Sequence, residues 1–196
     1  MSLNAIILEM ILERIGDFDD QKEKSAGTSL NQVASAIKQV SSKGIIKPDH
    51  VVTDVGGGKY DKGVAHIKDT TGANASVFDP FNRSQEHNDK VEKQNSGKSD
   101  HVFSNNVGNV IKEKKHLVSH LKQCKSFMKP ASGSKFHFSV YTGDSSGNGR
   151  MTQKDQSWQH HKKLNDPHYQ EAMHNVFPES EYDHSIKNGV HTVTKK

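Results

Sequence analysis

The chain has 196 residues, 31% of them apolar, with 27 Lys and Arg against 23 Asp and Glu and a single cysteine; its mean hydropathy is -0.83. That length holds one domain with a modest core, the lone Cys124 excludes an intrachain disulfide or a cysteine-built zinc site, and no apolar run reaches the roughly 18 residues of a membrane span. A net charge of +4 is too small to name a nucleic-acid partner by itself, and one unpaired thiol fits a reducing, cytoplasmic setting.

Leu3, Ile6, Ile7, Met10, Ile11 and Ile15 recur at spacings of three and four around Glu9 and Glu13, which predicts an amphipathic helix ending at Gly16. After a charged stretch, Thr28 or Ser29 is placed to cap a second helix carrying Leu30, Val33, Ala34, Ile37 and Val40 up to Gly44. Residues 1–47 therefore read as a two-helix N-terminal cap, forming one compact unit with a domain over 48–196. Within that domain Val51, Val52 and Val55 make a β-branched run that meets Gly56, Gly57 and Gly58, a strand entering a glycine turn. Val64, Ala65 and Ile67 suit a helix, and Ala75 to Phe78 suit a second strand stopping at Asp79-Pro80, so this is one βαβ unit.

Ser84 to Ser99 is almost wholly polar, with Val91 its sole apolar residue. A third strand is expected at His101 to Phe103, a helix from Lys112 to Met128 with Leu117, Val118, Leu121 and Cys124 on one side, and a fourth strand from Lys135 to Tyr141. Alternating short strands and helices predict an α/β fold with a mainly parallel, twisted sheet. The Gly, Ser and Asn-rich loop from Thr142 to Arg150 has the composition of a cover over a site. A helix is expected from Pro167 to Asn175, and Asn188-Gly189 between alternating segments signals a closing antiparallel hairpin.

The chemistry concentrates on Asp54-Val-Gly-Gly-Gly and on Asp79, two acids flanking one turn. Glycines at the top of a first strand let backbone amides approach a ligand that a Cβ would repel, and a carboxylate ending the second strand can accept ribose hydroxyls. The implied ligand contains a ribose. Counting from Gly56, the sixth position is Asp61 rather than the third glycine of a dinucleotide fingerprint, which disfavours nicotinamide; Gly58-Lys59 leads into Tyr60, so the phosphate-cradling G-x-x-x-x-G-K-[ST] fails too. Asp54 repels a diphosphate and attracts a cationic amino-acid end.

Asp54-Val-Gly-Gly-Gly resembles the first motif of class I S-adenosylmethionine-dependent methyltransferases, an acid followed by G-x-G-x-G. Gly56 and Gly58 match its first two glycines, and Tyr60 stands where the third often lies. The resemblance spans about 48–196 and implies the Rossmann-like methyltransferase fold, S-adenosylmethionine as cofactor, and transfer of the sulfonium methyl to an acceptor. It implies Asp54, Gly56, Gly57, Gly58 and Tyr60 around the cofactor, Asp79 on the ribose, Pro80 and Phe81 against the adenine, and Asn105, Asn106 and Val107 close to the methyl. Asp79-Pro-Phe-Asn-Arg and Asn106-Val-Gly-Asn-Val-Ile further resemble bacterial and phage methyltransferase-like proteins associated with DNA modification. The family normally has a third strand and an adenine-contacting acid where this chain runs from Ser84 to Ser99, so that edge strand is expected to be missing, very short or mobile.

The acceptor, whether small molecule, protein or nucleic acid, is not specified by these residues, nor is the oligomeric state. The DNA amino-methyltransferase signature, a polar residue followed by Pro-Pro and an aromatic, is replaced by Ser104-Asn105-Asn106-Val107. Methyl transfer needs alignment and a water-poor pocket rather than a side-chain nucleophile; His137, His160 and His161 are the candidate general bases. His160 and His161, with His168 and His174, lack the tight spacing of metal ligands, so no metal site is expected. A non-catalytic nucleoside-binding or interaction module that keeps the fold is the competing reading.

Overall fold

The computed structural model describes residues 31–151 and 158–196; the first expected helix and the Thr28, Ser29 and Leu30 start of the second lie outside the described residues. In chain order the elements are α1 (Ser35–Ser41), β1 (Val51–Val55), α2 (Lys62–Thr71), β2 (Asn74–Phe78), α3 (Gln85–Asn95), β3 (His101–Asn105), α4 (Lys114–Phe127), β4 (Lys135–Ser139), β5 (Gly149–Met151), β6 (Trp158–His160), α5 (Pro167–Val176), β7 (Tyr182–Lys187) and β8 (Val190–Lys195). One sheet has the order β2-β1-β3-β4-β8-β7, and β5 and β6 form a separate ribbon. β1 pairs in parallel with β2 and β3, and β3 with β4, whereas β8 runs antiparallel to both β4 and β7. This is the expected α/β fold with a mainly parallel sheet and a terminal hairpin.

Strands flanked by parallel neighbours are covered on both faces, which is why β1 is buried almost throughout, its polar Thr53 and Asp54 included. Its alternation sends Val52 into one cluster with Ile37, Val40, Val64, Ile67 and Phe103, and Val55 into the other with Val91, Leu121, Phe127, Phe138 and Met173. Hence α1 and α2 cover one face of the sheet and α3, α4 and α5 the other. At the far edge, Asn188 and Gly189 take φ of 51° and 75°, the double left-handed turn that fits a two-residue hairpin.

Besides the short β5–β6 ribbon, which stands partly where a loop was expected, two stretches differ from the sequence reading. The second helix starts at Ser35, because Ala34 is extended (ψ 142°) and gives no side-chain cap; Val33 and Ala34 still pack on the second cluster, but from irregular backbone. Ser84 to Ser99 holds neither an edge strand nor a loop alone but the helix α3, capped by the Ser84 side chain, which accepts from the His87 N–H. Its inward positions are Asn88, Val91 and Asn95. The Asn88 amide donates to Asp79 O at 3.0 Å and its oxygen accepts from Asp79 N–H at 3.0 Å, and Asn95 Nδ2 donates to Thr53 Oγ1 at 3.0 Å. Hydrogen bonds from Asn88 and Asn95, alongside the single apolar anchor Val91, seat this helix, so its helical period is invisible to a hydropathy pattern.

The chain leaves β2, crosses β1 and returns on its other side as β3. By the general rule for α/β sheets, such a reversal marks the ligand-binding crevice outside the carboxyl ends of β1 and β3.

Candidate functional site

Beyond β1, Gly56 and Gly58 have φ of 79° and 77°, a conformation glycine adopts without the steric cost other residues bear. Their amides are used within the chain. Gly56 N–H donates to Phe78 O at 2.7 Å, and Gly58 N–H donates to Asp79 Oδ2 at 2.8 Å. A Cβ on Gly56 would lie 2.4 Å from Val107 Cγ2, and one on Gly57 2.7 Å from Asp54 Oδ2. The turn is thus moulded against two of the other sequence-selected residues.

Asp79, buried at the end of β2, is the hub of the next loop. Its Oδ1 accepts from Phe81 N–H and Asn82 N–H, both at 2.9 Å, and Asn82 Nδ2 reaches both carboxylate oxygens at 3.2 Å. With Gly58 N–H that makes four donor groups on a carboxylate with about four acceptor sites. The glycine turn and the acid therefore meet each other directly. Arg83 closes the same junction: its Nε donates to Gly58 O at 2.9 Å and its Nη2 pairs with Asp61 Oδ1 at 2.8 Å. Sequence reasoning assigned no role to Asn82 or Arg83. The available signal was the Asp79-Pro-Phe-Asn run, since an Asp side chain habitually accepts amides two and three residues on.

Asp54 is held differently. Although only 5% exposed, among the described residues its carboxylate receives one long hydrogen bond, from Asn105 Nδ2 at 3.3 Å. Burial pushes its pKa up to about 7, with the Asn105 bond and Arg83 opposing and the charge of Asp79 reinforcing the rise. Asn105 is oriented in turn by Ser139, whose Oγ donates to Asn105 Oδ1 at 3.0 Å. A polar line thus crosses the carboxyl ends of three strands, from Asp54 on β1 through Asn105 on β3 to Ser139 on β4.

Asn106 follows with φ 61°, its N–H bonded to Ser139 O at 2.8 Å, and this turn delivers Val107 against Gly56. Asp54, Gly56, Gly57, Gly58, Asp79, Asn105, Asn106 and Val107 are therefore gathered at one edge. Phe81 joins them through its N–H on Asp79 and is half-buried, whereas Pro80 is exposed. Tyr60 is half-buried and has Lys59 Nζ 5.3 Å from its ring centre.

The three candidate bases separate clearly. His137 is buried in the sheet, its Nε2 3.0 Å from His101 Nδ1 and its Nδ1 3.2 Å from Thr192 Oγ1, so both nitrogens are engaged away from the edge. His160 is tied by its N–H to Asn109 O at 2.6 Å and by Nε2 to Lys112 O at 3.3 Å. His161 sits beneath the loop after β4, with Nδ1 2.7 Å from Asp144 Oδ1. Among the described residues no group of three or more His, Cys, Asp or Glu is arranged to hold a metal ion, and no helix is long and apolar enough to cross a membrane.

No family model matches the sequence, and no curated protein matches it. Solved structures do. The putative methyltransferase bound to the Trm112 methyltransferase activator of Haloferax volcanii is similar at a TM-score of 0.54 and 12% identity, over 91% of this chain and 95% of that one. Geranyl diphosphate C-methyltransferase from Streptomyces coelicolor A3(2), solved with S-adenosyl-L-homocysteine, is similar at 0.50 and 9%, over 82% and 77%. Phosphoethanolamine N-methyltransferase 2 from Haemonchus contortus, solved with S-adenosyl-L-methionine, gives 0.50 and 18% over 78% of this chain, which spans 38% of that protein. At these identities the likeness is one of architecture: the chain has the Rossmann-like fold of S-adenosylmethionine-dependent methyltransferases.

Proposed function

We propose that the chain is an S-adenosylmethionine-dependent methyltransferase that binds its cofactor across the carboxyl ends of β1, β2 and β3. The observation that carries this reading is Asp54, a buried carboxylate at the crossover with, among the described residues, a single long hydrogen bond. Such a group calls for a positive partner, and the cofactor's amino-acid end carries an ammonium group. The residues fit that end directly. They fit the sugar once Asn82 Nδ2, which makes the longest contacts to Asp79 at 3.2 Å, gives way to the ribose hydroxyls; exchanging one neutral donor for another costs little net free energy, on the order of 1 kcal/mol.

On this reading Gly56, Gly57 and Gly58 keep the β1 turn low enough for close approach, Asp79 takes the ribose, Phe81 and Pro80 border the adenine, and Asn105, Asn106 and Val107 line the methyl. Tyr60 stands at the outer side of the turn. The bound cofactor supplies a sulfonium methyl open to attack by a nucleophile. What the chain supplies is orientation, through the Asp54, Asn105 and Ser139 line, and exclusion of water by Val107 and the glycine turn.

The competing module that keeps the fold without chemistry is favoured by one specific observation: the amides of Gly56 and Gly58 and the acceptor sites of Asp79 are already used within the chain. Calorimetric titration with S-adenosylmethionine and S-adenosylhomocysteine, followed by assay of S-adenosylhomocysteine release in the presence of nucleic-acid, protein and metabolite extracts, distinguishes them. The methyltransferase reading expects micromolar binding, about -8 kcal/mol, and release with one extract. Binding without turnover selects the module, and no binding up to about millimolar levels removes both.

A further inference from the structure

The amino ends of the sheet border a cavity of about 790 Å³ that the candidate site does not use. It opens beside Val51 and Asn74, the first residues of β1 and β2. The cofactor crevice lies past the other end of the same strands, on the order of 15 Å away at about 3.3 Å per residue. The second wall is the C-terminal half of α3 and the bend after it, which contribute Lys90, Lys93 and Lys98. Asn74 and Gln94 add amide donors to this lining. Among the described residues no carboxylate and no aromatic ring lines the cavity.

These lysines are not spent on the helix. Glu86 stands four residues before Lys90 and Asp89 four before Lys93, the spacing and order at which helical ion pairs form best. Neither pair is made. Asp89 Oδ1 instead accepts from Gln85 Nε2 at 2.7 Å, and among the described residues the ammonium groups of Lys90 and Lys93 take part in no ion pair or hydrogen bond. Lys98 Nζ donates to Lys93 O at 3.3 Å, which brings a third charge to the same wall. The nearby Asp100 accepts from Val51 N–H at 2.8 Å and is neutralised by Lys129 at 2.6 Å. The negative pole of α3 accounts for a cation in its last turn, Lys93, but not for Lys90 in mid-helix. Three cations thus share one hollow with no anion of the chain facing them.

We propose that this cavity holds the phosphate backbone of a nucleic-acid strand, remote from the cofactor crevice. Lysines act on phosphate as point charges, without the planar fork of arginine, and such contacts position a strand without reading its bases. With no ring to stack a base and no acid to accept a ribose hydroxyl, the lining recognises phosphate alone. A free nucleotide therefore gains nothing here over inorganic phosphate, whereas a strand gains from each successive phosphate. The sequence pI near 9.0 and the charge of +4 keep the protein from repelling such a polymer. This inference does not rest on the methyltransferase reading.

Fluorescence anisotropy of the full chain with a labelled single-stranded oligonucleotide, between about 50 and 200 mM salt, tests it. Three phosphate contacts give a slope of log affinity against log salt of about -2, a loss of about 20-fold across that range. Joint Lys90→Gln and Lys93→Gln should flatten the slope to about -0.7 and weaken binding at the lower salt about 10-fold or more. Lys187→Gln, on β7 at the opposite edge of the sheet, should leave the affinity within about twofold. All three lysines are exposed, so the variants keep the fold, which circular dichroism checks. No binding at the lower salt, an unchanged double variant, or an equal loss in Lys187→Gln overturns the inference. Inorganic phosphate that displaces the oligonucleotide at equal phosphate concentration makes this a small-anion site and overturns the nucleic-acid assignment. The cofactor plays no part in the assay, so its failure leaves the methyltransferase reading untouched.

Discussion

The two sides of the crevice are built on opposite terms. On the β2 side, Asp79 is surrounded by donors from Gly58, Phe81 and Asn82, and its carboxylate holds the turn and loop together. On the β1 side, Asp54 is about as deeply buried, yet among the described residues its carboxylate receives one long hydrogen bond. The difference teaches how to sort buried polar groups. A saturated group stabilises the structure, whereas an under-satisfied one destabilises it and is kept for a partner that the chain does not provide.

Removing the charge from each side sharpens that contrast. The folded pKa of Asp54 is raised from 3.8 to about 7, so the folded state keeps a proton that the unfolded state has released. Wild-type stability therefore declines as pH rises from about 4 to about 7. Asp54→Asn mimics the protonated side chain, and we expect it to be more stable than wild type by up to about 4 kcal/mol at pH 8 and nearly equal at pH 4. Urea denaturation at the two pH values checks this; a loss of stability at pH 8 would mean that Asp54 is satisfied after all. Asp79→Ala should do the opposite. It strips the acceptor from three backbone N–H groups and is expected to cost about 3 kcal/mol at either pH, with a neutral result breaking the comparison from the other side. The smallest effect belongs to Asn82→Ala, about 1 kcal/mol, because its backbone N–H remains on Asp79. In calorimetry this variant should bind S-adenosylmethionine at least as well as wild type; weakened binding would place Asn82 on the cofactor instead.

These geometries also correct an expectation carried by the glycines. Sequence alone makes Gly56 a point of approach for a ligand, so that a larger residue there would test binding alone. Its φ of 79° and the 2.4 Å clash with Val107 mean that any side chain at this position strains the turn itself.

What could be read in advance follows from the kind of force involved. β1, the glycine turn and β2 are legible because β-branched runs ending in glycine or Asp-Pro have few alternatives, and the final hairpin is legible because Asn188-Gly189 fits one turn geometry. α3 is not, because Asn88 and Asn95 occupy inward positions where a hydropathy pattern looks for apolar residues. β5 and β6 are three residues each, too short to carry a period. At the site, Asp54 and Asp79 are legible as acids at strand ends, but not the opposite ways in which they are satisfied, since those depend on Asn105, Asn82 and Gly58 arriving from elsewhere in the chain. His161 is recognisable only as one of three histidines. Its partner Asp144 is 17 positions away, across a loop whose path no local pattern fixes.

Among the described residues the sheet ends at β2, and a bare margin of that kind invites a neighbouring molecule to add its own strand. α3 guards it. The His87 imidazole reaches the Val77 carbonyl at 2.8 Å, occupying an outward-facing acceptor that an intruding chain would need. The polar helix that lies where the edge strand was expected thus also covers part of that margin.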